Sequence, residues 1–139
     1  MVRRFRKRVC GLNPLKKFVY LISPNKIDHK FCKDLDKVLS YKNVSYFQLR
    51  LKNIKTNKLS KFVNKIKKIT SKRKVKLIIN DNFIFASKAK ADGCHMGQQD
   101  GSFEIARYKL KNKILGITCH NSKILAKNAI KNKADYVAF

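Results

Sequence analysis

Residues Lys76 to Asp100, KLIINDNFIFASKAKADGCHMGQQD, hold two apolar runs separated by a short helix-forming segment. Leu77, Ile78 and Ile79 form a continuous apolar run that stops at Asn80-Asp81. Cys94 to Met96 form a second, which stops at Gly97-Gln98-Gln99-Asp100. A strand apolar on both faces, followed by a helix and another such strand, is the pattern of a parallel βαβ unit with both sheet faces covered. Polar residues stand where each strand ends, and in (β/α) architectures the loops at that edge converge on one site. The chain has only eight acidic residues, and Asp81 and Asp100 occupy two of these strand ends.

The same alternation extends in both directions. Phe18 to Ser23 predict a first strand closed by Pro24-Asn25, and Asp28 to Tyr41 an amphipathic helix carrying Phe31, Leu35, Val38 and Leu39. Ser45 to Lys52 predict a second strand with Phe47, Leu49 and Leu51 on one face and Gln48, Arg50 and Lys52 on the other. The apolar face is expected to pack on helices and the polar face to project into the mouth of the sheet or barrel. Leu59, Phe62, Val63, Ile66 and Ile69 form the stripe of a second helix, and Phe103, Ala106, Arg107 and Leu110 that of a fourth. Ile114 to His120 predict a fifth strand, Asn121 a helix N-cap, Ile124 to Lys131 a fifth helix, and Tyr136 to Phe139 a sixth strand. Ala91-Asp92-Gly93 and Ala134-Asp135-Tyr136 each join a helix to a strand at the opposite end from Asp81 and Asp100, so Asp92 and Asp135 are read as turn formers.

Units recur about every 24 residues. Eight of them would need about 190 residues, near the lower end for a (β/α)8 barrel. The expected fold is therefore α/β, a TIM (β/α)8 barrel truncated after the sixth strand. It occupies residues 17–139, behind a basic arm over 1–16 that is expected to be disordered.

The net charge of +26 is the strongest compositional feature, and alone it would attract any polyanion. The cations are mostly Lys scattered over every predicted helix, while four of the seven Arg fall in the first ten residues. This is read as solvated surface, with no specific nucleic-acid partner. No apolar run approaches the roughly 20 residues of a membrane span, so no membrane partner is expected. The four cysteines form no CxxC pair, and free thiols in a cytoplasmic protein are the expectation. Cys94-His95 and Cys119-His120 raise the question of zinc. Adjacent strand residues point to opposite faces, however, so each dipeptide could offer one ligand where a structural site takes four.

Three segments together carry a family resemblance: Gln48-Leu49-Arg50-Leu51-Lys52; Ile79-Asn80-Asp81 with Gly93 to Asp100; and Gly116-Ile117-Thr118-Cys119-His120 followed by Ala134-Asp135-Tyr136-Val137. In order and spacing they resemble thiamine-phosphate synthase, a (β/α)8 barrel, from about Phe18 to Phe139. The resemblance implies a transferase that joins 4-amino-5-hydroxymethyl-2-methylpyrimidine diphosphate to thiazole phosphate, giving thiamine phosphate and pyrophosphate. By the same resemblance Arg50, Lys52 and Thr118 are catalytic. Gln48, Leu49, Arg50, Leu51, Lys52, Asn80 and Thr118 bind substrate, and Asp81 and Asp100 bind Mg2+. His95 and His120 lie within motifs without an assigned role. Simpler readings make Asn80-Asp81 a turn and cap pair and Asp100 an N-cap before Phe103.

Two departures stand out. Leu51 replaces the acidic residue usual between the Arg and Lys. The Pro-Thr-x-Thr-Lys-like loop and the last two strands, with their thiazole-phosphate contacts, do not occur, so the chain alone is expected to be inactive. The rival readings are a thiazole tautomerase of the same fold, an inactive remnant and a basic nucleic-acid-binding protein. The partners implied are the two small-molecule substrates, and self-association into a homo-oligomer stays open.

Overall fold

Each expected apolar run forms a strand in a computed structural model of the chain, which describes residues 17–28, 30–51 and 56–139. The basic arm (1–16) and Lys52 lie outside the described residues. In chain order the elements are β1 (Val19–Ile22), α1 (Phe31–Val38), β2 (Val44–Leu49), α2 (Thr56–Lys72), β3 (Lys76–Asn80), α3 (Phe83–Lys88), β4 (Gly93–Met96), α4 (Phe103–Leu110), β5 (Ile114–Thr118), α5 (Lys123–Lys131) and β6 (Tyr136–Ala138). The six strands form one parallel sheet in sequential order, β1 to β6. Parallel neighbours need a crossover, and the helices provide it.

Strand alternation sorts side chains onto two faces. Phe47, Leu49, Leu77, Ile79, Cys94, Met96, Leu115 and Ile117 join Leu35, Val63, Ile66, Ala106 and Ala129 from the helices in one buried core. Burying each large aliphatic side chain contributes about 1.5–3 kcal/mol, so this layer is the main source of stability. The other face carries Tyr20, Gln48, Ile78, Asn80, His95 and Tyr136. Ile78 is fully buried, which accounts for the absence of polar alternation in β3.

The sheet is strongly curved. Strands lie about 4.8 Å apart, so five intervals would separate β1 from β6 by about 24 Å in a flat sheet. The rings of Tyr20 on β1 and Tyr136 on β6 have centroids only 5.6 Å apart. The strands thus form a half-barrel, its concave face lined by the second set of residues. Tyr136 fits there because its β5 partner in register is Gly116, where a Cβ would fall 2.0 Å from the tyrosine ring.

Asp92 and Asp135 act alike at the starting edge of the sheet. Asp92 accepts from the Leu77 N–H (2.9 Å) and donates its own N–H to the Leu77 carbonyl (2.9 Å); Asp135 does the same with Leu115 at 2.8 Å and 2.8 Å. Each clamps the start of the strand preceding its own. At α1, Arg73 forks onto Asp36 (2.7 and 2.9 Å), tying α2 to α1 and holding the Asp36 carboxyl below its usual range.

Several expected boundaries shift, and at α3, α4 and α5 the reason is that a nearer side chain satisfies the helix end. The α5 cap is Ser122, which accepts from the Leu125 N–H, rather than Asn121. Ser102 caps α4 in place of Asp100, and Asn82 rather than Asn80-Asp81 caps α3. Asp28 accepts from the N–H groups of Lys30 and Phe31, so α1 begins at Phe31 and not at Asp28. β2 ends at Leu49 and β5 at Thr118, short of the expected Lys52 and His120.

The pairing of Gly116 with Tyr136 yields a direct test. Gly116→Ala forces the ring aside in a filled interior and is expected to cost about 1–3 kcal/mol in urea unfolding. A variant as stable as the wild type would show that the Tyr136 ring does not occupy this space.

Candidate active site

The concave face opens at the ends of the strands into a cavity of about 570 Å³, within the range typical of small-ligand sites. Residues from all six strands and from the loops after β2, β3, β4 and β5 supply its lining. From β2 come Gln48, 3 % exposed, and Arg50. The Gln48 amide donates to Asn80 Oδ1 at the end of β3 (2.5 Å), which fixes both side chains across two strands. Arg50 is held from the β1 loop: its backbone N–H donates to Ser23 Oγ (2.9 Å) and its guanidinium to Asn25 Oδ1 (2.9 Å). A guanidinium placed in this way loses less freedom on meeting an anion.

Asp81 follows β3 in the left-handed region (φ 65°), a conformation Asp tolerates better than most residues. Its N–H donates to the His95 carbonyl (2.7 Å), which turns the chain at the cavity rim. Asp100, after β4, accepts from the Gly97 N–H (2.5 Å). A Cβ on Gly97 would lie 3.1 Å from that carboxylate oxygen, a close approach. Cys94 lies buried beneath both carboxylates. Burial pushes its thiol well above the ordinary value, and the charges of Asp81 and Asp100 push in the same direction.

The remaining wall is a hydrogen-bonded row. Tyr20 and Tyr136 share a 2.6 Å bond between hydroxyls. The Tyr136 hydroxyl is also 2.9 Å from His95 Nδ1, and His95 Nε2 is 2.8 Å from Thr118 Oγ1. Burial, and next to it Tyr20, raise the Tyr136 phenol well above its usual value. Gln98 donates to the Thr118 carbonyl (2.5 Å), and His120 sits exposed at the rim.

The structure therefore brings Gln48, Arg50, Asn80, Asp81, Asp100 and Thr118 to one cavity. It sets Leu49 in the helix-side core and Leu51 against that core; these two side chains stand apart from the cavity lining, so direct contact with a ligand would fall to their backbone. Among the described residues no cluster of three or more His, Cys, Asp or Glu could hold a metal, and the Cys94-His95 dipeptide is divided between the two faces of the sheet. Ser23, Asn25, Tyr20 and Tyr136 escaped the sequence reading. Asn25 meets Arg50 from 25 positions away and leaves no local signal.

A family model described as thiamine monophosphate synthase matches residues 19–139. The thiamine-phosphate synthase of Pelagibacter ubique is 59% identical over 127 residues, covering 89% of this chain and 60% of the relative. That of Erythrobacter litoralis is 37% identical over 124 residues, covering 87% and 58%. The solved thiamine phosphate pyrophosphorylase from Pyrococcus furiosus has a TM-score of 0.74 at 24% identity, over 85% of this chain and 57% of that one, a likeness of fold. The chain thus spans about 60% of the length of the curated relatives it matches.

Burial of the Cys94 thiol and Tyr136 phenol carries a pH signature. The native state keeps protons that the unfolded chain releases above about 9.0 and 10.0 respectively. Stability from these groups is therefore complete below pH 9 and lost as pH rises, by about 1.4 kcal/mol per pH unit for each group. Urea unfolding between pH 10 and 11 is expected to show a shallower loss in Tyr136→Phe than in the wild type. Equal slopes would mean that the native phenol ionises freely.

Proposed function

The chain belongs to the thiamine monophosphate synthase family, and we propose that its cavity is the pyrimidine-diphosphate half of a thiamine-phosphate synthase site within a (β/α)8 barrel. The observation that carries this reading is the convergence of Arg50, Asp81, Asp100 and Thr118, from four strand ends, on one cavity. The curvature and sequential strand order support six neighbouring positions of such a barrel.

The reaction breaks the C–O bond between the pyrimidine methylene and diphosphate, leaving a carbocation stabilised by the aminopyrimidine. Electrons go to the diphosphate oxygen, and the thiazole nitrogen then forms the new bond. Charge grows on the leaving group, so fixed positive and hydrogen-bonding groups there lower the barrier. Arg50, already oriented by Ser23 and Asn25, meets that charge, and Thr118 reaches it from the opposite wall. Lys52 would add a second cation. Gln48 and Asn80 line the floor and orient the pyrimidine.

The donor set suits a hard divalent cation, since Mg2+ is ordinarily held by one or two carboxylates together with phosphate and water. Asp81 and Asp100 would hold it, and when bound it would neutralise part of the diphosphate charge.

Calorimetric titration of the chain with inorganic pyrophosphate tests this reading. Binding is expected only with Mg2+, to weaken at least tenfold in Arg50→Ala, and to lose its Mg2+ dependence in Asp81→Asn. Mg2+-independent binding that survives both substitutions would overturn it.

A further inference from the structure

A second cavity, of about 480 Å³, opens at the starting edge of the sheet, where β2 and β3 begin. It lies at the other end of the strands from the cavity that holds Arg50, and the two share no lining residue. Leu39 and Tyr46 give it an apolar wall, and the Tyr46 ring is fixed by stacking on Tyr20 (centroids 5.5 Å, 15°). Around that wall stand five cations from three segments. They are Lys42 before β2, Lys72, Arg73 and Lys74 at the end of α2, and Lys76 at the start of β3. Among the described residues no carboxylate lines the cavity.

Two ordinary causes account for part of this gathering. A helix C-terminus favours cations, which suits Lys72 and Arg73. Ion pairing adds to it. Asp36 accepts from Nε and Nη2 of Arg73 (2.7 and 2.9 Å) and lies 3.4 Å from Lys72 Nζ, while Asp92 lies 3.1 Å from Lys76 Nζ. Neither cause reaches Lys42, which precedes a strand, and among the described residues Lys42 and Lys74 have no carboxylate partner. Asp36 and Asp92 offset two of the five charges, so three remain in excess around one concavity. Exposed ion pairs contribute little to stability, and like charges around a cleft repel one another. A cleft lined by one sign of charge concentrates ions of the other.

The cavity that holds Arg50 has the opposite balance. There, among the described residues, one guanidinium faces two carboxylates, Asp81 and Asp100. A polyanion entering it needs a bridging metal ion, whereas at the starting edge it needs none.

We propose that the starting-edge cavity is a second anion site, which takes a small polyphosphate of three or more negative charges without a metal ion. Its volume is within the range of small-ligand sites. Cations from three segments can meet several linked phosphates at once, where a single phosphate would meet one or two. Arg73 is pre-set for this role, because Asp36 fixes its Nε and Nη2 and spares Nη1 for another acceptor. The inference does not rest on the function proposed above.

The test is calorimetric titration of the whole chain with inorganic tripolyphosphate in the presence of EDTA. Binding is expected to weaken at least tenfold in Lys42→Gln/Lys74→Gln and to stay within twofold of wild type in Arg50→Ala. Lys127→Gln/Lys131→Gln removes the same charge from exposed positions on α5 and is also expected to bind within twofold of wild type. Amide 1H–15N spectra are expected to shift at residues 40–46 and 72–76. Equal weakening in the two double variants means that bulk charge alone attracts the ligand, and overturns the site. Loss of binding in Arg50→Ala assigns the ligand to the other cavity and overturns it as well. Single-stranded RNA bound through Lys42 and Lys74, with no binding of tripolyphosphate, overturns the small ligand.

Discussion

The 2.6 Å bond between Tyr20 and Tyr136 joins the two outermost strands of the sheet, and the rest of the concave face depends on it. A flat parallel sheet of six strands would hold these residues too far apart for any side chains to bridge. Curvature makes the contact possible, and the absence of a side chain at Gly116 gives the Tyr136 ring its place. Once that ring is seated, His95 is held from one side by a phenol and from the other by Thr118. The wall of the cavity is then fixed in orientation. Fixed dipoles matter at any site that meets charge, because they need not reorganise as it appears.

The two edges of the sheet divide their work. At the starting edge, Asp92 and Asp135 use their carboxylates on backbone N–H groups, a structural task with little charge left to present. At the finishing edge, Asp81 and Asp100 surround a cavity that also holds Arg50. Four of the eight acidic residues of a chain with net charge +26 are thus committed to strand ends. The lysines largely lie on exposed helix faces, where a charge contributes little to stability. Acid and base meet there because both stand at the end of a strand.

Much of the site was legible because the strand has a period of two. Gln48 and Arg50 alternate with Phe47 and Leu49, so the division between cavity and core could be read directly along the chain. Asp81 and Asp100 were legible because each lies in the short polar segment where an apolar run stops. The α5 cap was misread by one residue, since Ser122 fits the helix end better than Asn121, and Asn82 and Ser102 take the caps that Asn80-Asp81 and Asp100 had held only as a simpler alternative. Cap choice turns on backbone angles at single residues, which composition does not specify. His95 and Tyr136 sat in quoted motifs without roles, because their partners lie 23 to 116 positions away.

The sequence by itself determined the parallel α/β alternation, the apolar core and the edge of the sheet at which polar residues gather. These follow from local periodicity, which any short segment displays. Only the tertiary structure decided how far the sheet curves, that Asn25 and Ser23 aim Arg50, and that two tyrosines, a histidine and a threonine form one row. Those facts depend on which strand ends meet across the concave face. That meeting is set by the summed twist and packing of the whole sheet rather than by any one of its segments.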